Sequence, residues 1–111
     1  MAGKFVISKR SNGDFQFNLK AGNGQVILAS QGYADKGGCS NGIESVKKNA
    51  TDDARFEHKT SSNGKPFFNL LAGNGQVIGS SEMYESEASR DNGIASVKAN
   101  APDASVVDET A

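Results

Sequence analysis

The 111-residue sequence is poor in the features that build disulfide frameworks, membrane spans and highly charged surfaces. Its one cysteine excludes an internal disulfide framework. Acidic and basic side chains nearly balance, 13 against 12, and this disfavours strong electrostatic binding to nucleic acid or anionic membranes. The longest apolar runs, such as residues 26–29, are too short for a membrane span or a signal-peptide core. These absences predict a cytoplasmic protein that contacts no membrane.

What the sequence does contain is an internal duplication. When the chain is shifted by 51 residues, residues 5–54 align with residues 56–105 without a gap, and half of the aligned positions are identical. The longest identical run, Ala-Gly-Asn-Gly-Gln-Val-Ile, occurs at 21–27 and again at 72–78. Chance does not produce such agreement, so the chain consists of two related repeats.

Each repeat, about residues 4–54 and 55–108, is too short to bury much apolar surface alone. Domains of roughly 60 residues bury only about 60% of the surface of the unfolded chain. No linker rich in proline, glycine or serine separates the repeats. We therefore predict a single domain, residues 1–111, in which the repeats pack around one core with a pseudo-twofold axis.

Each repeat opens with the pattern of a three-stranded antiparallel meander, which in the first repeat covers about residues 4–10, 14–21 and 25–30. Apolar side chains at every second position from 15 to 21 are typical of a strand with one buried face. A three-residue loop with Gly13 in the left-handed conformation pairs Ile7 with Phe17, and this register buries every large side chain.

The second turn of the meander contains an Asn-Gly pair. Asn23-Gly24 is the strongest short signal for a two-residue type I′ hairpin. In that hairpin Ala21 lies opposite Val26, and both side chains face the core.

A helix follows each meander. The apolar stripe of the first helix is Cys39, Ile43, Val46 and Ala50. Asp35 and Ser86 are the predicted N-caps, and Gly42 and Gly93 inside the helices indicate a close approach of helix and sheet. A strand after each helix gives the order βββαβββαβ. We predict an α+β fold, with one mainly antiparallel sheet and two helices packed on one face.

The run Phe-x-Phe-Asn-Leu-Lys-Ala-Gly-Asn-Gly at 15–24 and the Gly-Ile-x-Ser-Val-Lys runs at 42–47 and 93–98 resemble the YegP-like family of bacterial proteins. The similarity covers nearly the whole chain. It implies two β(3)-α-β units in a single sheet with exchanged C-terminal strands, so that Val106-Val107 pairs with strands of the first unit. It also implies a fused pseudo-dimer, because some members carry one unit and form dimers. It implies no activity, cofactor or catalytic residue.

Cys39 and His58 are the residues that could form a nucleophile and its base. Cys39 lies in the first helical turn, where the pKa of a thiol can fall. The duplication, however, places Arg90 at the position of Cys39 and Ile7 at that of His58, and no third orienting group is visible. We therefore predict no catalytic residue, and His58 is interpreted as a core or edge histidine in inward register beside Phe68.

No other motif predicts a cofactor or a metal site. The Gly-x-Gly turns at 22–24 and 73–75 are followed by strands rather than by a helix N-terminus, so they predict hairpins and not phosphate loops. No ligand pair has metal spacing, and carboxylate pairs such as Asp52-Asp53 are typical of solvated turns. Basic residues at 9–10 and 47–48 leave a surface that binds polyanions weakly as an alternative, which the charge balance disfavours.

The sharpest functional indication is an asymmetry between the repeats on the helix-free face of the sheet. There the first repeat has Gln16, Asn18 and Lys20, and the second has Phe67, Asn69 and Leu71. Ile78 is predicted directly opposite Leu71. We therefore predict an interaction patch formed by Phe67, Leu71 and Ile78 with Asn69, since exposed apolar patches often mark association sites. The alternative is cover by the loop with Met83 and Tyr84.

The sequence thus predicts an interaction module without enzymatic activity. Its predicted partner is another protein or a second copy of the chain. Weak nucleic-acid binding and an enzyme that uses Cys39 and His58 are the alternative functions.

Overall fold

The computed structural model describes residues 3–110 and has the predicted α+β architecture. Seven strands form one sheet in the order β4-β5-β6-β3-β2-β1-β7, and two helices cover one of its faces. The elements are β1 (Lys4–Lys9), β2 (Phe15–Lys20), β3 (Val26–Ala29), α1 (Lys36–Asn49), β4 (Phe56–Thr60), β5 (Pro66–Leu71), β6 (Val77–Ser80), α2 (Glu87–Asn100) and β7 (Ser105–Asp108). A short 3-10 helix at Asp53–Arg55 leads into β4.

The register of the first hairpin is confirmed. Ile7 pairs with Phe17, and a three-residue loop connects β1 and β2, both as predicted. Gly13 has a φ of 92°, in the left-handed region where glycine is favoured. Pairing of this kind places the large side chains of β1 and β2 on the face that the helices cover.

The predicted two-residue hairpin at the second turn is wrong. The Ala21 N–H donates to the carbonyl of Gln25 at 2.9 Å, which makes a three-residue loop with Gly24 in the left-handed region at a φ of 86°. A type I′ turn requires positive φ at Asn23 as well, and within residues 3–110 only glycines have it. The Asn23 side chain instead accepts from the Gln25 N–H at 3.0 Å.

This longer loop creates a bulge that shifts the register. Val26 pairs with Lys20 rather than with Ala21, as the prediction had it. In the second repeat Leu71 pairs with Val77 in the same way. The predicted position of Ile78 opposite Leu71 is therefore wrong, because Ile78 is the extra residue of the bulge. Its side chain is 8% exposed and belongs to the core.

The two helices begin at the predicted caps. The Asp35 carboxylate accepts from the Gly38 N–H, and the Ser86 hydroxyl accepts from the Ser89 N–H. Each cap satisfies one of the N–H groups that a helix leaves unpaired at its start. None of the helices in residues 3–110 is long and apolar enough to cross a membrane.

The core is built from two matching aromatic stacks. Tyr33 lies parallel to Phe17, with ring centroids 6.3 Å apart, and Tyr84 lies on Phe68 at the same distance. Tyr84 therefore lies on the helix side of the sheet and does not cover the outer face. The glycine in each helix, at 42 and 93, makes room for the tyrosine ring. The close approach predicted there thus includes the tyrosine as well as the sheet.

The last strand crosses between the repeats. β7 ends the second repeat but pairs in parallel with β1 of the first, with Val106 beside Phe5 and Asp108 beside Ile7. This confirms the exchange that the family resemblance implied.

Candidate interaction surface

The middle strand of the second repeat carries the predicted patch. Phe67, Asn69 and Leu71 alternate along β5 with Phe68 and Leu70, which are fully buried. Because successive side chains of a strand point to opposite faces, the three residues lie on the outer face, away from the helices. The structure thus places Phe67, Leu71 and Asn69 on the predicted face and moves Ile78 into the core.

Val77 takes the place that was predicted for Ile78. It pairs with Leu71, so both side chains share the outer face. Val77 is 40% exposed, whereas Phe67 and Leu71 are half-buried. We call Phe67, Leu71 and Val77 the outer patch. Val77 could not be predicted from the sequence, because the bulge results from a three-residue loop and a two-residue turn was predicted there.

Asn69 ties the outer patch to its neighbours. Its Nδ2 donates to Oε1 of Glu57 on β4 at 3.2 Å, and its Oδ1 accepts from the Ser80 hydroxyl on β6 at 2.7 Å. These two bonds fix the amide across three strands. Asn69 therefore acts as a rigid polar spacer between the apolar side chains.

The first repeat has a polar network on the matching surface. The Arg10 Nε donates to Oε1 of Gln16 at 2.6 Å, and the Gln16 Nε2 donates to the Ser8 hydroxyl at 3.3 Å. Lys20 pairs with Val26 on the same face. On the middle strand the outer face is therefore polar in the first repeat and more apolar in the second. Three valines also lie on the outer face of the first repeat, Val6, Val26 and Val107.

The structure does not bring Cys39 and His58 together. Cys39 is fully buried, and the Asp108 carboxylate on β7 is close enough to act on its thiol. His58 is an exposed residue of β4, at the opposite end of the sheet. Five strands separate β4 from β7 in the sheet order. Burial, and next the Asp108 carboxylate, raise the pKa of the Cys39 thiol, which is the reverse of what a nucleophile needs.

The interpretation of His58 is confirmed in its register, since it pairs with Phe68. It lies at the edge of the sheet and not in the core. The two tyrosines are at matching positions beside the helices, as predicted, and burial raises the pKa of both hydroxyls.

The remaining candidates of the sequence are dispersed. Within residues 3–110 no group of three His, Cys, Asp or Glu side chains could hold a metal ion. Both Gly-x-Gly turns connect strands. The basic residues are divided between the two faces, because Arg10 bonds to Gln16 on the outer face while Lys47 lies 6.0 Å over the Phe5 ring on the helix side.

Asp108 holds β7 against the first turn of α1. Its carboxylate lies 2.8 Å from Nζ of Lys36 and accepts from the Thr110 N–H and hydroxyl. The hydrogen bond from Lys36, and then those from Thr110, lower the pKa of Asp108 to about 2. A carboxyl group whose pKa is lowered by folding stabilises the protein above its unfolded pKa, and this contribution disappears as the pH falls toward the folded pKa.

Removal of this carboxylate is expected to expose Cys39. In Asp108→Asn we expect alkylation of Cys39 by iodoacetamide at pH 8 to be roughly 2- to 5-fold faster, the size expected of one partly exposed ion pair, because β7 detaches more often. The stability difference between the two proteins should disappear as the pH falls from about 4 to about 2. Glu109→Gln is the matched control, since Glu109 is exposed on the same segment. Equal alkylation rates in the two variants would contradict the prediction.

Residues 11–57 and 61–108 each match the family described as "Domain of unknown function (DUF1508)". The protein from Stutzerimonas stutzeri called "UPF0339 protein in ptx operon 5'region" is 63% identical over 108 residues, which are 97% of this chain and 97% of that one. The chain belongs to the UPF0339 (YegP) family.

Two members of the UPF0339 family with solved structures share the fold over more than nine tenths of their length. The solution structure of yegP from E. coli is 52% identical, with a TM-score of 0.93 over 98% of this chain and 94% of that one. The solution structure of UPF0339 protein SO3888 from Shewanella oneidensis is 51% identical, with a TM-score of 0.91 over 97% and 92%. The family resemblance predicted from the repeated motifs is therefore confirmed.

Proposed function

We propose that this UPF0339 protein is an interaction module that binds another protein chain on the outer face of its second repeat. The observation that carries the proposal is the outer patch. At the positions of Phe67 and Leu71 the first repeat has Gln16 and Lys20 in the same backbone environment. The fold therefore does not require apolar side chains there, and a binding role accounts for them.

The charges around the outer patch favour a protein partner over a nucleic acid. Lys59 pairs with Phe67 on the outer face, and Glu57 pairs with Asn69 two residues away. One charge of each sign along the same edge does not attract a polyanion. A rim of mixed charge around an apolar centre is typical of protein interfaces.

The proposal is tested by giving the second repeat the residues of the first, in the double variant Phe67→Gln with Leu71→Lys. A variant with a photo-crosslinking amino acid at the exposed position 77 is produced in the organism that encodes the protein. We expect a defined protein adduct, and we expect the double variant to reduce its yield at least fivefold, because the apolar contact area is lost.

The matched control is Gln16→Ser with Lys20→Ser on the first repeat, which should leave the adduct unchanged. Circular dichroism checks that both variants fold. An adduct that consists of two copies of the chain would identify the partner as the protein itself. A folded double variant with a full adduct yield, or no adduct at all, would refute the proposal.

A further inference from the structure

The two edges of the sheet are not equivalent, although the repeats are. β1 and β4 occupy the same place in their repeats, and each pairs with the middle strand of its meander. β1 is covered on its other side by β7, whereas β4 is the last strand of the sheet order. The fold therefore has a place for a strand beside β4 that no part of residues 3–110 occupies.

An open groove of about 510 Å³ lies at this place. It is lined by Asp53, Phe56, His58, Asp91 and Ile94, which come from the 3-10 helix, β4 and α2. The equivalent residues of the first repeat, beside which β7 lies, are more deeply buried. Ile7 and Ile43 are 3% and 1% exposed, whereas His58 is exposed and Ile94 is half-buried.

The backbone of β4 is suited to receive a strand. The carbonyl of Ile7 accepts from the N–H of Glu109, the residue after β7, at 2.9 Å. His58 is the repeat equivalent of Ile7, so its carbonyl and its N–H point to the open edge. The Phe56 N–H is already bonded to the carbonyl of Asp53. The free stretch of the edge therefore runs from His58 to Thr60.

The groove also differs from its counterpart in charge. Asp108 of β7 lies near Cys39 in the first repeat. Arg90 stands at the position of Cys39, and its side chain is only 10% exposed. Its guanidinium bonds to Asp91, which lines the groove, at 3.3 Å. Glu87 stands where the first repeat has the lysine that pairs with Asp108. A carboxylate in the place of Asp108 would therefore face acidic groups, whereas a lysine there would find an acidic partner.

We propose that the edge of β4 binds an extended peptide segment of a partner protein, which adds to the sheet as a strand parallel to β4. The segment carries a small apolar residue that packs on Phe56 and Ile94, and a basic residue two positions later that pairs with Glu87. This spacing is that of Val106 and Asp108 on β7. Main-chain bonds of this kind provide affinity, and the alternate side chains provide specificity. The site is independent of the outer patch.

The short free edge favours a peptide over a second copy of the chain. The 3-10 helix occupies the beginning of the edge, which leaves three residues for pairing. A stable dimer generally buries about 800 Å² on each partner, far more than such a stretch provides. A terminal or disordered segment can follow the groove without bringing a second sheet against it.

The natural probe is the peptide acetyl-Pro-Asp-Ala-Ser-Val-Val-Asp-Glu-Thr, which has the sequence of residues 102–110. It is titrated into the full-length ¹⁵N-labelled protein. We expect saturable shift changes of the amides of residues 56–60 and 91–94, with a dissociation constant of roughly 0.1–1 mM for so short a strand. The same peptide with lysine in place of its second aspartate should bind at least threefold more tightly, because the lysine pairs with Glu87.

Two protein variants separate the parts of the proposal. His58→Pro removes the N–H that points to the open edge, where proline is tolerated, and should abolish binding in a folded protein. Glu87→Gln should weaken the lysine peptide at least threefold and leave a peptide with glutamine at that position unchanged. The outer-patch variant Phe67→Gln with Leu71→Lys should bind the peptide normally, so failure of one proposal is distinguishable from failure of the other.

Three results would overturn the inference. One is the absence of shift changes at 5 mM peptide, roughly fivefold above the weakest expected dissociation constant. Another is a set of changes at β1, which would mean that the peptide only exchanges with β7. The third is a concentration-dependent dimer in sedimentation experiments that His58→Pro abolishes, since that would make a second copy the occupant.

Discussion

Alanine at Gly93 is expected to lower the free energy of unfolding by about 2 kcal/mol, although alanine is the better helix former by about 1 kcal/mol. A Cβ at this position would overlap the Tyr84 hydroxyl and would lie 2.6 Å from Cζ of the same ring. The ring must then leave its stack on Phe68, and overpacking of this kind costs about 1–3 kcal/mol. The thermal midpoint should fall by roughly 8 °C.

The sign of the effect should reverse when the tyrosine is removed. In a Tyr84→Ala background only Cε2 of Phe68 remains close to the added Cβ, at 3.2 Å. Gly93→Ala should then stabilise the protein by up to about 1 kcal/mol. Gly37→Ala is the matched control, because a Cβ there meets only the Asp35 carboxylate at 3.6 Å. It should stabilise the protein in both backgrounds. An increase in stability on Gly93→Ala alone would show that the ring does not need the space.

A fragment of residues 1–54 is expected to be unfolded as a monomer, which is the largest effect that we predict. The core is shared between the repeats, since α1 packs on β5 and β6 as well as on β2, and α2 packs on β3. Leu28 lies against Gly79 so closely that an added Cβ would be 2.8 Å from its Cγ. Separation would expose these surfaces to water.

Circular dichroism and proton NMR of the separated fragments provide the test. Residues 1–54 and 55–111 should each lack dispersed amide signals in dilute solution. An equimolar mixture should recover the spectrum of the full chain, because the junction lies in the short 3-10 helix, which has no buried residue. A 1–54 fragment that sediments as a folded monomer would contradict the expectation.

The strands and their faces could be predicted because alternation of side chains depends only on local sequence. Ile7 and Phe17 were paired correctly, since any other register exposes a large side chain. The turn at 22–24 was predicted wrongly, because Asn-Gly is compatible both with a two-residue turn and with the observed loop. In that loop only Gly24 needs positive φ. The resulting bulge is a property of the paired strands and has no signature of its own in the sequence.

The candidate site could likewise be predicted only in part. Comparison of the repeats predicted Phe67 and Leu71 on the outer face, whereas the bulge exchanged Ile78 for Val77. The groove beside β4 could not be predicted, because it depends on which strand ends the sheet. β4 follows α1 and also begins the second repeat, so no separate strand of the first repeat remains to cover it. Only the sheet order reveals that β4 has no counterpart of β7 beside it, as the symmetry of the two repeats would provide.

The pairing of β7 with β1 joins residues that are about as far apart in sequence as the chain allows. During synthesis on the ribosome β1 leaves the exit tunnel first and β7 leaves it last. The backbone of β1 therefore has no partner on one side until β7 has also left the tunnel, and contacts of such high sequence separation form slowly. Until then β1 presents a free strand edge, whose unpaired main-chain groups are prone to pair with other chains.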